Sequence, residues 1–148
     1  NKKITTINFD KNVLAISPGA NKKANIWNIE NFINIAHYWI NLDRNVILLG
    51  SKDDYNITKK IEEIIPYLCS ADMYIGNDSF GSHVTSQSGI KSLVILLDTP
   101  KAYTDYSKNY YRIIPDGIEI EDVTHGSNLK PEHISVEKVY QTIINNKF

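Results

Sequence analysis

Short apolar runs alternate along this chain with segments of helical period, and a turn closes each run. Val13-Leu14-Ala15-Ile16 stops at Ser17-Pro18-Gly19, Val46 to Leu49 at Gly50, Met73-Tyr74-Ile75 at Gly76, and Leu93 to Leu97 at Asp98-Thr99-Pro100. Runs of this kind bounded by Gly and Pro are strands. The unbroken run Leu93–Leu97 further implies a parallel strand covered on both faces. Tyr111 to Ile114 is a candidate fifth strand.

Between the runs the period changes from continuous to helical. Phe32, Ile35, Ala36, Trp39 and Ile40 recur on one face, with Asn28 as the N-cap. Ile57, Ile61, Ile64, Ile65 and Leu68 mark a second helix, in which Pro66 predicts a kink or a break. Ser82 to Ser88 fits a short helix stopped by Gly89. Ser135 caps a last helix with Val136, Val139, Tyr140, Ile143 and Ile144 on its apolar face. Strands alternating with helices predict an α/β domain, a Rossmann-like parallel sheet flanked by helices.

At 148 residues the chain suits one domain, 1–148, with 1–12 a linker or an added edge segment. The stretches 98–110 and 115–134 are long for mere connections. The formal net charge of −1, with acids and bases interspersed, argues against nucleic acid as a partner. No apolar run approaches the ~20 residues that span a bilayer. Cys69 is the single cysteine and falls in a helical pattern, which predicts buried packing and a reducing, cytoplasmic compartment. The chain starts at Asn1, which reads as processing or as a piece of something longer.

Ligands of open parallel sheets bind beyond the carboxyl ends of the strands. After the first strand come Gly19 and Ala20, which permit close backbone approach, then Lys22 and Lys23, whose charge suits a diphosphate. After the third come Asn77, Asp78, Ser79, Gly81, Ser82 and His83, opening a helix. Free amides at a helix N-terminus, with the helix dipole, favour bound phosphate. Ser79, Ser82 and His83 can add donors. Asp78 would repel phosphate, so it is expected to hold loop amides or a sugar hydroxyl. A plain turn and a capped helix would account for both stretches equally. Neither GxGxxG nor GxxxxGK[ST] occurs, so dinucleotide and P-loop sites lose their main support. Tyr103, Tyr106, Tyr110 and Tyr111 are read as loop packing, His125 as a weak site candidate, and His37 and His133 as structural. No Cys/His metal cluster is visible.

Together these loops resemble those of the heptosyltransferases, glycosyltransferase family nine. Ser17-Pro18-Gly19-Ala20, then Lys22-Lys23, Trp27 and Phe32, is similar to that family's strand, small-residue loop, Lys-x-Trp and helix. Ala71 to Ser79, ending in His83, resembles its second signature, an Asp-(Ser/Thr)-Gly tripeptide followed three residues later by His. Ser88 to Leu93 resembles the entry to the next strand. Three local departures stand out. Asn25 replaces a lysine, Phe80 stands where the family has glycine with Gly81 one place later, and Leu97-Asp98-Thr99-Pro100 replaces Gly-Pro-Thr. The stretch between Gly50 and Ile61 is also short by about a strand and its connection.

The resemblance implies the C-terminal half of a two-domain GT-B glycosyltransferase. That half binds a nucleotide diphosphate sugar, with Gly19, Ala20, Lys22, Lys23, Asn77, Asp78, Ser79, Gly81, Ser82 and His83 as the donor site. A catalytic base is then expected on a separate N-terminal acceptor domain, with no cofactor or metal, and this half alone is expected to be inactive. A lipopolysaccharide, another glycan or a lipid-linked acceptor would be met at the inner membrane face. The alternative is a non-catalytic nucleotide-binding or assembly module of the same fold. A sugar-nucleotide epimerase is a third reading, but its carboxylate and histidine constellation is not visible.

Overall fold

A computed structural model describes residues 7–20, 22–50 and 61–148. Five strands form one sheet: β1 (Val13–Ser17), β2 (Asn45–Leu48), β3 (Met73–Asn77), β4 (Lys91–Ile95) and β5 (Tyr110–Ile113). Their order is β2-β1-β3-β4-β5 and every neighbouring pair is parallel. The helices are α1 (Ile29–Asn41), α2 (Ile61–Leu68), α3 (Phe80–Gln87) and α4 (Val136–Asn145). The expected Rossmann-like α/β architecture is therefore present.

Val13–Ile16, Met73–Ile75 and Leu93–Ile95 of the inner strands are apolar without interruption because both faces are covered. Leu14, Ile16, Met73, Ile75, Leu93 and Ile95 point into one core, shared with Trp27, Phe32, Ile35 and Trp39 of the α1 side and Val139 and Ile143 of α4. Val13, Ala15 and Tyr74 point the other way, onto Leu68 and Ala71. Side chains alternate across a strand, so each strand needs apolar residues at odd and even positions alike.

The caps follow the sequence. Asn28 accepts from the Glu30 amide at 3.0 Å, and Ser135 from the Lys138 amide at 3.2 Å. Gly89 ends α3 with φ +89°, a conformation that favours glycine. Ile40 and Ile144, expected on core faces, are exposed instead.

Other boundaries shift. β3 runs two residues beyond Ile75, because Gly76 and Asn77 pair with Val94 and Ile95. β4 begins at Lys91 rather than Leu93. α3 starts at Phe80, not Ser82, since Ser79 is already extended and the Ser82 hydroxyl binds its backbone. α2 is not broken at Pro66: the Cys69 amide still reaches the Ile65 carbonyl at 2.9 Å. Ile57 lies outside the described residues. Cys69 is half-buried rather than buried, with Sγ 3.2 Å from Ser88 Oγ.

Residues 7–12 add no strand. The Ile7 amide donates to Ser70 Oγ at 2.6 Å and Phe9 packs on the second core, which tethers the segment to the α2–β3 connection. Among the described residues, no helix is long and apolar enough to cross a membrane.

Candidate functional site

Parallel strands present all their carboxyl ends on one side, and the loops after β1, β3 and β4 meet there. The first of these loops is held by Asn77, the last residue of β3. Its amide donates to the Pro18 carbonyl at 2.6 Å and the Gly19 carbonyl at 3.4 Å, and its Oδ1 accepts from the Trp27 amide at 3.1 Å. Trp27 is buried, donates Nε1–H to the Ile134 carbonyl at 2.8 Å and meets Phe32 edge-on at 5.0 Å. Asn77, a candidate for ligand contact, thus has its hydrogen-bonding groups engaged by the protein.

Two clefts open on this side. The first, about 200 Å³, is lined by Ala20, Lys22, Asn25, Asn77, Asp78, Ile95, Leu97, Asp98, Thr99 and His125. The second, about 270 Å³, is lined by Ser17, Gly19, Ala20, Leu49, Gly50, Ile64, Leu68, Ser79, Phe80 and Gly81. Ala20 borders both. The β3–α3 turn is divided between them, Asn77 and Asp78 facing the first, and Ser79, Phe80 and Gly81 the second.

Asp78 does not hold loop amides, as the sequence led us to expect. It accepts from Thr99 Oγ1 at 2.5 Å and from Tyr110 Oη at 2.7 Å, and His83 Nε2 lies 3.3 Å away. A carboxylate only accepts, so the Nε2–H faces Asp78, and in the neutral imidazole Nδ1 then accepts from the Tyr106 hydroxyl. Burial opposes the Asp78 charge, but hydrogen bonds from His83, Thr99 and Tyr110 outweigh it and hold the carboxyl below its ordinary value. Burial and the facing Asp78 charge push the Tyr110 hydroxyl far up. It therefore stays a protonated donor. Both His83 nitrogens are engaged within the protein, so donation to a phosphate would require releasing one of them.

The remaining candidates separate. Ser82 is fully buried, and its hydroxyl donates to the Ser79 carbonyl at 2.7 Å and accepts from the Ser79 amide at 3.2 Å. Lys22 is ion-paired to Asp98, so its charge is already offset. Lys23 is exposed in a short 3-10 turn (Lys23–Asn25) and lines neither cleft. His125 lines the first cleft beside Tyr103, 5.5 Å between ring centres. His37 and His133 lie exposed elsewhere.

The first turn of α3 sits tightly on Tyr74. A Cβ on Gly81 would lie 2.9 Å from Tyr74 Oη, and one on Gly76 would lie 2.4 Å from the same oxygen and 2.7 Å from the Ser17 carbonyl. Ser79 Oγ and Tyr74 Oη are buried without a hydrogen-bond partner among the described residues.

Sequence reasoning missed the partners of Asp78 and the walls of the second cleft. The tyrosines after β4 were legible only as loop packing, which Tyr106 and Tyr110 also do. Leu49, Gly50, Ile64 and Leu68 come from two further elements, and no local motif marks them.

Residues 1–116 match the family described as glycosyltransferase family 9 (heptosyltransferase). A lipopolysaccharide heptosyltransferase 1 from Campylobacter coli is 34% identical over 86 residues, 55% of this chain and 25% of that protein. Among solved structures, the E. coli heptosyltransferase WaaC with ADP-2-deoxy-2-fluoro heptose superposes with a TM-score of 0.74 at 14% identity, covering 95% of this chain and 45% of that one. A family 9 transferase from Veillonella parvula gives 0.73 at 17%, covering 94% and 47%. At such identities the structural likeness bears on fold alone. The chain spans about a quarter of the Campylobacter protein and just under half of each solved relative.

Proposed function

Given that the chain belongs to glycosyltransferase family 9, we propose that it forms the donor-binding part of a transferase moving a sugar, heptose in the first instance, from a nucleoside diphosphate sugar to a glycan acceptor. One observation carries the reading: two clefts of different character meet over Ala20 and the β3–α3 turn. The second cleft, walled by Leu49, Ile64, Leu68 and Phe80, suits a nucleoside. The first, with Asp78, Thr99, Asn25 and His125, suits a polyhydroxylated sugar. The diphosphate would then cross the start of α3, where free amides and the helix dipole favour negative charge.

As the glycosidic bond breaks, charge grows on the departing diphosphate. Groups fixed in advance stabilise that charge without reorganising. Lys22 is paired with Asp98, so in this reading the α3 amides carry most of the work, and no metal or cofactor is invoked. A base that activates the acceptor, and the acceptor domain itself, would belong to chain outside these residues. The Campylobacter relative's name suggests a lipopolysaccharide acceptor, and the WaaC structure's ligand suggests ADP-heptose as donor. Such chemistry would take place on the cytoplasmic side of the inner membrane.

Calorimetric titration with ADP, GDP, UDP and CDP tests the reading. Saturable binding of one of them is expected. A cooperatively folded chain that binds none of the four would refute it.

A further inference from the structure

Phe80 is an unusual residue to find where it stands. It is the first residue of α3, at the mouth of the second cleft, and it is 48% exposed. Its ring belongs to neither buried core. The next residue explains its direction: Gly81 faces Tyr74 so closely that a side chain there would strike the phenol ring. Gly81 therefore has no room for a ring, and the preceding residue carries one at the cleft. The cleft's other apolar walls are Leu49, Ile64 and Leu68, aliphatic side chains without a flat face.

We infer that Phe80 is a specificity-determining residue, the stacking platform for the nucleobase of the donor. This rests on the reading of the second cleft as the nucleoside site. Base–aromatic stacking is sequence-tolerant and grows with ring overlap. The residue therefore favours a purine over a pyrimidine by contact area, and it acts on the base while leaving the diphosphate alone. Phe80 also adds its ring at the amino end of α3, so the base and the first phosphate are held by adjacent residues of one turn.

The test compares ADP with inorganic pyrophosphate, titrated into the unaltered chain and into Phe80→Ala, Phe80→Tyr and Phe80→Trp, each checked for an unchanged circular dichroism spectrum. Phe80→Ala is expected to weaken ADP by roughly tenfold and leave pyrophosphate unchanged, while Phe80→Tyr binds ADP as the unaltered chain does. In Phe80→Trp, ADP is expected to quench the added indole emission and pyrophosphate is not, a signature that a structural role would not produce. The native Trp27 and Trp39 are buried and supply a constant background. If the unaltered chain binds ADP and Phe80→Ala binds it equally well, the stacking role is overturned and the nucleoside site stands. An equal loss of ADP and pyrophosphate overturns it too, since the ring would then be supporting the turn. If the folded, unaltered chain binds none of ADP, GDP, UDP and CDP, both fall; if it binds only a pyrimidine nucleotide, the preference assigned to Phe80 is overturned.

Discussion

Asp78 is the residue on which the polar side of the site turns. It gathers Thr99 and Tyr110, 21 and 32 positions away in the chain, and His83 from the next helix. Truncating it would leave the half-buried Thr99 hydroxyl and the buried Tyr110 hydroxyl unpaired, at about 1–3 kcal/mol for each group truly stranded. Asp78→Ala is therefore expected to lower unfolding free energy by roughly 2–3 kcal/mol, read by urea denaturation. The charge also makes a pH signature. Its folded pKa lies below the ordinary 3.8, so its contribution is complete above that value and is lost as pH falls through the lower, folded one. Denaturation midpoints measured down from pH 5 are expected to show less acid loss in Asp78→Asn than in the unaltered chain. At this scale the sequence was half legible. The types and spacing of Asp78, Ser79 and His83 marked a site, but hydrogen bonds to distant tyrosines leave no local trace. Ser82 and Asn77 also serve the turn itself, because short polar residues suit turns and ligands equally well.

The element that matters most is the β3–α3 turn, and its constraint is the Tyr74 ring beneath it. Gly76→Ala would bring a methyl within 2.7 Å of the Ser17 carbonyl as well as onto the phenol oxygen. Gly81→Ala meets only Tyr74. Overpacking of this kind costs typically 1–3 kcal/mol. Removing the phenol oxygen in a Tyr74→Phe background is expected to recover part of the Gly81→Ala loss and little of the Gly76→Ala loss, as a double-mutant cycle in thermal or chemical denaturation would reveal. Tyr74→Phe alone is expected to change stability by less than about 1 kcal/mol, since the deleted hydroxyl is buried without a partner among the described residues. Element identities were legible because period-two, period-3.6 and continuous apolar patterns are distinct. Element ends were not. β3 extends to Asn77 and α3 begins at Phe80 because strand pairing and the Ser82 hydroxyl, rather than apolar residues, decide those positions.

At the scale of the molecule, one sheet divides two apolar cores, and every strand contributes to the packing of at least one of them. Unfolding is expected to be a single transition. A ligand that binds only the folded chain then raises the midpoint by mass action. ADP at one hundred times its dissociation constant corresponds to about 2.7 kcal/mol. For a chain of 148 residues that is an upward shift of roughly 6–12 °C, measurable by calorimetry. Pyrophosphate at the same multiple of its own constant is expected to give a shift of the same size, so the comparison must be made at matched saturation. The parallel α/β architecture was the most legible feature of all, because both-face burial writes itself into the inner strands as uninterrupted apolar runs.

Asn77 has a further consequence, in the domain of rates. Its single carboxamide ties together the end of one strand, the carbonyls of the neighbouring loop and the amide of a buried tryptophan. The loop's search for its shape is thereby completed when the chain folds and not when a ligand arrives. A nucleotide meeting this surface finds its walls standing, so encounter, rather than rearrangement, is expected to set the association rate. Asn77→Ala would return that search to the binding step. Association would slow, and a lag independent of nucleotide concentration would appear in stopped-flow traces.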